Sequence, residues 1–282
     1  MDTSTPIALP LSAQGYAAAN EAFRQCWAAD RDQVLSCLRA HLPTPSAHGL
    51  DILGIGVGDG SFDLQIIDCL QQHLGDMPMC YVALDPNEAQ LRGFQANLAR
   101  SPRPTVQFSF IAQPAEAYQP ERQFDLIHFI HSLYHMPDHE QQLILGAYSR
   151  LRPGGRLLIA LSSEQGGIYQ MMQRHWGEID YSFFTHGLFG HESLMDILNR
   201  EGIRYEAARF PDVAIDVSAC FQPGSALGQQ LLDFIMQADM QRAPAELREH
   251  VLDTLHQLSY ERGGRRWLAH PSGVFVASAP LG

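Results

Sequence analysis

The 282-residue sequence contains no lysine; all 19 of its basic residues are arginine. Schiff-base catalysis is thereby excluded, and so is P-loop chemistry, since no G-x-x-x-x-G-K-[ST] occurs. The dinucleotide fingerprint G-x-G-x-x-G is missing too. Started at Gly54 its sixth position is Asp59, and started at Gly56 it is Ser61. An acidic residue in that turn would repel a pyrophosphate. Basic residues are outnumbered, with a net charge of −12, and this argues against a nucleic-acid substrate. The densest basic patch, Arg262 to Arg266, reads as a solvated turn before the last strand. No apolar run reaches the length of a membrane span, and the first ten residues lack a charged region and an apolar core, so neither span nor signal peptide is expected. The five cysteines (26, 37, 69, 80 and 220) are odd in number and irregularly spaced, without a C-x-x-C. They read as buried thiols of a cytoplasmic protein. With 45% hydrophobic and 18% charged residues, the chain reads as one soluble α/β domain plus an inserted lobe. Its oligomeric state is not legible.

What is present is concentrated in LDILGIGVGDGSFDL, Leu50 to Leu64. An apolar run leads into glycines at 54, 56, 58 and 60, and a helical pattern follows. This predicts a buried strand, a tight turn and a helix start, where a ligand can lie against bare backbone. A second apolar run, Tyr81 to Leu84, ends in Asp85. An acidic residue at that tip is placed to accept hydrogen bonds from ribose hydroxyls. The pair predicts a nucleoside-bearing cofactor, and Asp59 suits one without phosphate and with a positive sulfonium, S-adenosylmethionine.

Periodicity predicts strands near 50–55, 79–84, 105–110, 124–129 and 156–161, with helices near 60–74, 87–99 and 138–151 between them. Further strands are expected at 203–210, 213–220 and 273–278, and helices at 191–201, 225–239 and 244–260. The expected fold is a doubly wound, mostly parallel seven-stranded sheet, with its ligand site at the carboxyl ends of the strands. Residues 16–42 read as helical, so 1–45 is expected to form an N-terminal helical cap. Residues 46–282 are expected to form the catalytic domain, with substrate-lobe excursions at 162–189 and 211–265.

The glycine turn, the Asp85 tip and the Arg-Pro-Gly-Gly turn at 152–155 before a strand resemble the class I S-adenosylmethionine-dependent methyltransferases, whose fold is Rossmann-like. One departure is Gly54, which stands where that family often has an acidic residue. A narrower resemblance is to the histamine N-methyltransferases. It is carried by Asp63 to Ile66, FDLIHFIHSLYH, Leu161 to Ser163, IDVSACF (215–221), LLDFIMQ and WLAHPSGVFVAS. It implies methylation of a small-molecule acceptor, an amine or imidazole-like nitrogen, with neither nucleic acid nor membrane as partner.

For the cofactor the reading names Gly56, Gly58 and Gly60 for backbone approach and Asp85 for the ribose. Gln90 falls where the resembled enzymes use a glutamine on the cofactor, Ala115 and Glu116 follow the third strand near the adenine, and Ile130 packs on the cofactor. On the acceptor side, the resemblance puts Asp30, His131, His186 and His270 where those enzymes use a glutamate, a glutamine, a cysteine and an asparagine. Asp30 keeps a carboxylate suited to a cation. Three histidines make a different surface, able to act as a general base, bind an acidic group or ligate a metal. Tyr134, with Tyr169, Trp176, Tyr181, Phe183 and Phe184, fits an aromatic wall around a planar or cationic acceptor, and equally fits ordinary lobe core. His128, His131, His135 and His139 have ladder-like spacing but fall on different elements, so no metal is expected there. Two other readings stay open: intramolecular chemistry on S-adenosylmethionine itself, such as azetidine-carboxylate formation with release of methylthioadenosine, and a non-catalytic cofactor-binding protein.

Overall fold

The computed structural model describes residues 5–27, 30–75, 77–184 and 187–279. In chain order the elements are α1 (Ala13–Cys26), α2 (Asp30–Ala40), β1 (Leu50–Ile55), α3 (Asp63–Leu74), β2 (Met79–Leu84), α4 (Glu88–Arg100), β3 (Val106–Ile111), β4 (Phe124–Ile130), α5 (Glu140–Ser149), β5 (Leu151–Ser162), α6 (Gly167–Arg174), α7 (His191–Arg200), β6 (Tyr205–Phe210), β7 (Ala214–Asp216), α8 (Ala226–Met236), α9 (Ala245–Leu258), β8 (Ser259–Arg262), β9 (Arg265–Ala269) and β10 (Ser272–Ser278). They form two compact units. One comprises the described residues up to Asp30, Ser162–Leu188 and Phe210–Ser272; the other comprises Arg31–Leu161, Phe189–Arg209 and the residues from Gly273 onward.

The second unit contains the seven-stranded sheet, in the order β3-β2-β1-β4-β5-β10-β6. Strands β1, β2, β3, β4 and β5 pair in parallel. Almost every residue of β1, β2 and β4 is buried, as expected of parallel strands covered on both faces. The strand order reverses between β1 and β4, which opens a crevice at their carboxyl ends. One core joins the inward residues Leu53, Ile55, Val82, Leu84, Ile127 and Phe129 to Leu157 and Ile159. The Arg-Pro-Gly-Gly turn lies within the start of β5: Leu151 pairs with Phe124, pairing resumes at Arg156–Leu126, and Gly154 takes a φ of +77° in the bulge. Beneath the sheet, at the start of β1, Arg152 bonds Asp51 at 2.6 Å and the buried Asp125 at 2.8 Å.

The first unit has its own core. Phe23 of α1 stacks on Phe234 of α8 with ring centroids 4.2 Å apart. A three-stranded sheet, β7-β9-β8, stands beside these helices. Two features depart from expectation. The predicted strand 213–220 is cut to three residues, because the Asp216 carboxylate accepts from Ser218 N at 3.0 Å and turns the chain. The predicted helix to 260 stops at Leu258, and a hairpin follows. Gly263 and Gly264 have φ of +63° and +71°, the two positive values that a tight hairpin turn needs. The basic patch is therefore a hairpin tip, with Arg265 on Asp216 at 3.1 Å.

Among the described residues no helix is long and apolar enough to cross a membrane.

Candidate active site

The glycine turn sits at the end of β1. Gly56, Gly58 and Gly60 have φ of +72°, +57° and +65°, a region closed to most side chains. Space restricts two of them as well. A Cβ on Gly56 would lie 2.4 Å from Ser132 Cβ, and one on Gly60 would enter the Phe94 ring at 2.1 Å. Ser132 itself donates to the Ile55 carbonyl at 2.7 Å and ties the β4 exit to the turn. Asp85 is buried at the tip of β2. One of its oxygens accepts from Gly58 N at 2.9 Å and the other from Asn87 N at 2.8 Å. Each carboxylate oxygen keeps a second lone pair, so Asp85 can hold the turn and still accept from a ribose diol.

Gln90 lies in the first turn of α4, and a Cβ on Gly58 would stand 3.8 Å from its Oε1. Ala115 and Glu116 form a short 3-10 turn after β3, with Ala115 buried. Ile130 is the last residue of β4, not the first beyond it. His131 follows with a φ of +52°, unusual for a non-glycine residue, and its ring lies 6.3 Å from that of Tyr134. His139 proves to be the residue capping α5 and does not lie within it.

In the first unit, His270 is buried. Its Nε2 lies 2.8 Å from the Ser162 hydroxyl, and its ring meets Trp27 edge-on at 5.4 Å. Asp30 opens α2, within the stretch 16–42 that the sequence reads as helical; α1 closes at Trp27, whose N–H bonds the Phe23 carbonyl. The Asp30 side chain and His186 lie outside the described residues. Tyr181, Trp176 and Phe184 pack together in the core of this unit, and the Tyr181 hydroxyl donates to the Met236 carbonyl at 2.7 Å.

Sequence reasoning missed a buried network beside the turn. The Tyr81 hydroxyl donates to Asp63 Oδ1 at 2.5 Å and lies 2.9 Å from His128 Nε2. Burial raises Asp63 to about 7 against the pull of the Tyr81 hydrogen bond, and burial lowers His128 to about 3. His128 is therefore neutral. Tyr81 has one proton; while it goes to an ionised Asp63, His128 must donate from Nε2, leaving Nδ1 as the acceptor. That Nδ1 is buried without a partner among the described residues. The network explains Gly54. A Cβ there would lie 2.4 Å from the Tyr81 oxygen and 2.9 Å from His128 Cε1. Asp63, in the first turn of α3, holds its carboxylate on the same Tyr81 hydroxyl that a side chain at position 54 would meet.

Comparison with known proteins agrees with this architecture. The profile of a methyltransferase-domain family matches residues 27–208. The chain belongs to the S-adenosylmethionine-dependent methyltransferase family. It is 31% identical to histamine N-methyltransferase of Xenopus tropicalis over 217 residues, covering 72% of each chain. Carnosine N-methyltransferase 2 of Gallus gallus is 25% identical over 292 residues, 97% of this chain and 89% of the relative. The fold is shared with the YcgJ protein of Bacillus (TM-score 0.56, 12% identity, 89% of this chain and 100% of that one). It is shared also with Haemonchus contortus phosphoethanolamine N-methyltransferase 2 in complex with S-adenosylhomocysteine (TM-score 0.55, 18% identity, 95% of this chain and 57% of that one). The residues of the glycine turn fit the cofactor: bare backbone at Gly56 and Gly58, and an oriented carboxylate at Asp85.

Proposed function

We propose that this methyltransferase transfers a methyl group to a nitrogen of a small amine or imidazole-bearing acceptor. The observation that carries the acceptor class is the 31% identity to a histamine N-methyltransferase across 72% of both chains. The match to a carnosine N-methyltransferase over 97% of this chain points the same way, since histamine and carnosine both carry an imidazole ring.

When bound, S-adenosylmethionine supplies an electrophilic methyl on a positively charged sulfur. The chain has then to bind, align, exclude water and manage one proton. The glycine turn and Asp85 bind the nucleoside portion, with Gln90, Ala115, Glu116 and Ile130 around it. The methionine end belongs beside the turn held by Ser132 and by Asp63, Tyr81 and His128. For the acceptor, the assigned residues are His131, Tyr134, His270, Asp30 and His186. An acceptor amine must lose its proton before attack. A neutral imidazole from His131, His186 or His270 is the group suited to take it. The segments Ser162–Leu188 and Phe210–Ser272 supply the substrate lobe in this reading.

The test is incubation with S-adenosylmethionine and, separately, histamine, carnosine and aliphatic amines, with the nucleoside product identified. Acceptor-dependent S-adenosylhomocysteine supports the reading. Methylthioadenosine formed without acceptor would replace it with intramolecular chemistry. Cofactor binding without turnover on any amine or imidazole would reduce the chain to a binding protein.

A further inference from the structure

Within the first unit, three side chains that the methyl-transfer reading does not use converge on one point. We propose that His175, Glu178 and His250 bind a single divalent transition-metal ion of the zinc class, and that this ion clips the end of α6 to α9.

His175 follows α6 and is fully buried; Glu178 lies in the turn that its N–H closes on the His175 carbonyl at 3.0 Å; His250 projects from α9. One Glu178 oxygen is 2.5 Å from His175 Nδ1 and the other is 3.0 Å from His250 Nδ1. All three ligand atoms lie within 4.8 Å of one another. Two imidazole nitrogens and a carboxylate form a donor set that zinc-class ions take, leaving a fourth position for water.

The far side of His175 sets its tautomer. Its Nε2 is 3.0 Å from the Thr254 hydroxyl, which donates to the His250 carbonyl at 2.9 Å. With that proton committed, the Thr254 oxygen accepts from Nε2. The lone pair of a neutral His175 then sits on Nδ1 and faces the carboxylate. Two acceptors at 2.5 Å require a proton or a metal ion between them. A proton there would leave an imidazolium at the fully buried His175, while a neutral His250 donates from Nδ1 to the other Glu178 oxygen. One metal ion satisfies all three ligands. Donors on a tetrahedral ion at about 2.0–2.1 Å lie about 3.3 Å apart, so Glu178 has to retreat by under about 1 Å. It has the freedom to do so, because its side chain is partly exposed and His250 is more than half exposed. Thr254 is the outer partner that metal-bound histidines characteristically have.

The experiment uses the full chain, stripped with chelator and titrated with zinc sulfate against a chromogenic competitor, with cobalt absorption as the geometric readout. The expected result is one tight equivalent, a tetrahedral cobalt spectrum and a zinc-dependent rise in Tm. His250→Ala and Glu178→Gln, both at solvent-accessible positions, should each weaken zinc at least 100-fold and abolish the Tm rise. Thr254→Val should weaken it about 10- to 100-fold, the range for an outer-shell partner. Absence of tight binding in the parent protein overturns the proposal. So does unchanged zinc affinity in a folded His250→Ala variant, which would place the ion on other ligands such as the thiols.

Discussion

Replacing Asp63 by Asn tests the buried network where its physics is most exposed. Asp63 is 5% accessible and its carboxyl is raised from 3.8 to about 7, first by burial. In the unfolded chain it returns to the ordinary carboxylate range. The folded protein therefore binds the proton more tightly, and it holds more protons than the unfolded chain between about pH 4 and pH 7. The stability contributed by protonated Asp63 is fully present below pH 4, falls as pH rises through this window, and is gone above about pH 7. About three pH units at 1.36 kcal/mol each give a fall of at most about 4 kcal/mol. The amide introduced by Asp63→Asn cannot ionise, but its carbonyl can still accept from Tyr81. The stability of the parent protein minus that of the variant should therefore drop by up to about 4 kcal/mol between pH 4.5 and pH 8. Urea unfolding of both proteins at half-unit pH steps measures this difference and cancels the titrations they share. Tyr81→Phe adds an internal check. It removes the hydrogen bond that favours the ionised form, so the window should move to higher pH. A difference curve flat to within about 0.5 kcal/mol over the whole range would refute both the burial argument and the proton assignment in the network.

Three further outcomes are expected. Asp85→Ala should weaken S-adenosylmethionine binding by about 1.5–3 kcal/mol, read by isothermal titration, because the carboxylate proposed for the ribose also holds the Gly58 amide; an unchanged Kd in a folded variant removes Asp85 from that role. Gly60→Ala forces a Cβ to 2.1 Å from the Phe94 ring at a φ of +65°, so it should lower stability by more than about 2 kcal/mol in chemical denaturation, whereas Gly75→Ala, open on all sides, should cost only its backbone strain. Arg152→Ala leaves the buried Asp125 without its guanidinium and should cost about 2–3 kcal/mol at neutral pH, with part of the loss recovered as Asp125 is protonated on acidification; equal losses at pH 4.5 and pH 7.5 would contradict this.

Much of the second unit was legible because its signals are local. Apolar runs closed by glycine or aspartate put β1 and β2 at 50–55 and 79–84, as the structure has them. The motif G-x-G-x-G and its positive φ values are one statement made twice, since glycine tolerates that backbone and most other residues do not. The β8–β9 hairpin was less legible. Its strands are four and five residues long, and they read as strands only once β7 lies alongside.

The sequence by itself determined the alternating sheet, the turn at its switch point, the acidic tip of β2 and the family to which these belong. Each depends on residues within one strand, turn or helix start. The tertiary structure alone decided the groups of atoms. Tyr81 reaches Asp63 across 18 positions and His128 across 47, Ser132 reaches Ile55 across 77, and His250 meets Glu178 across 72. No pattern along the chain marks such partners. Taken singly, each is an ordinary polar residue on a helix, strand or turn. Its chemistry appears only when folding removes water and leaves another chain segment as its hydrogen-bond partner.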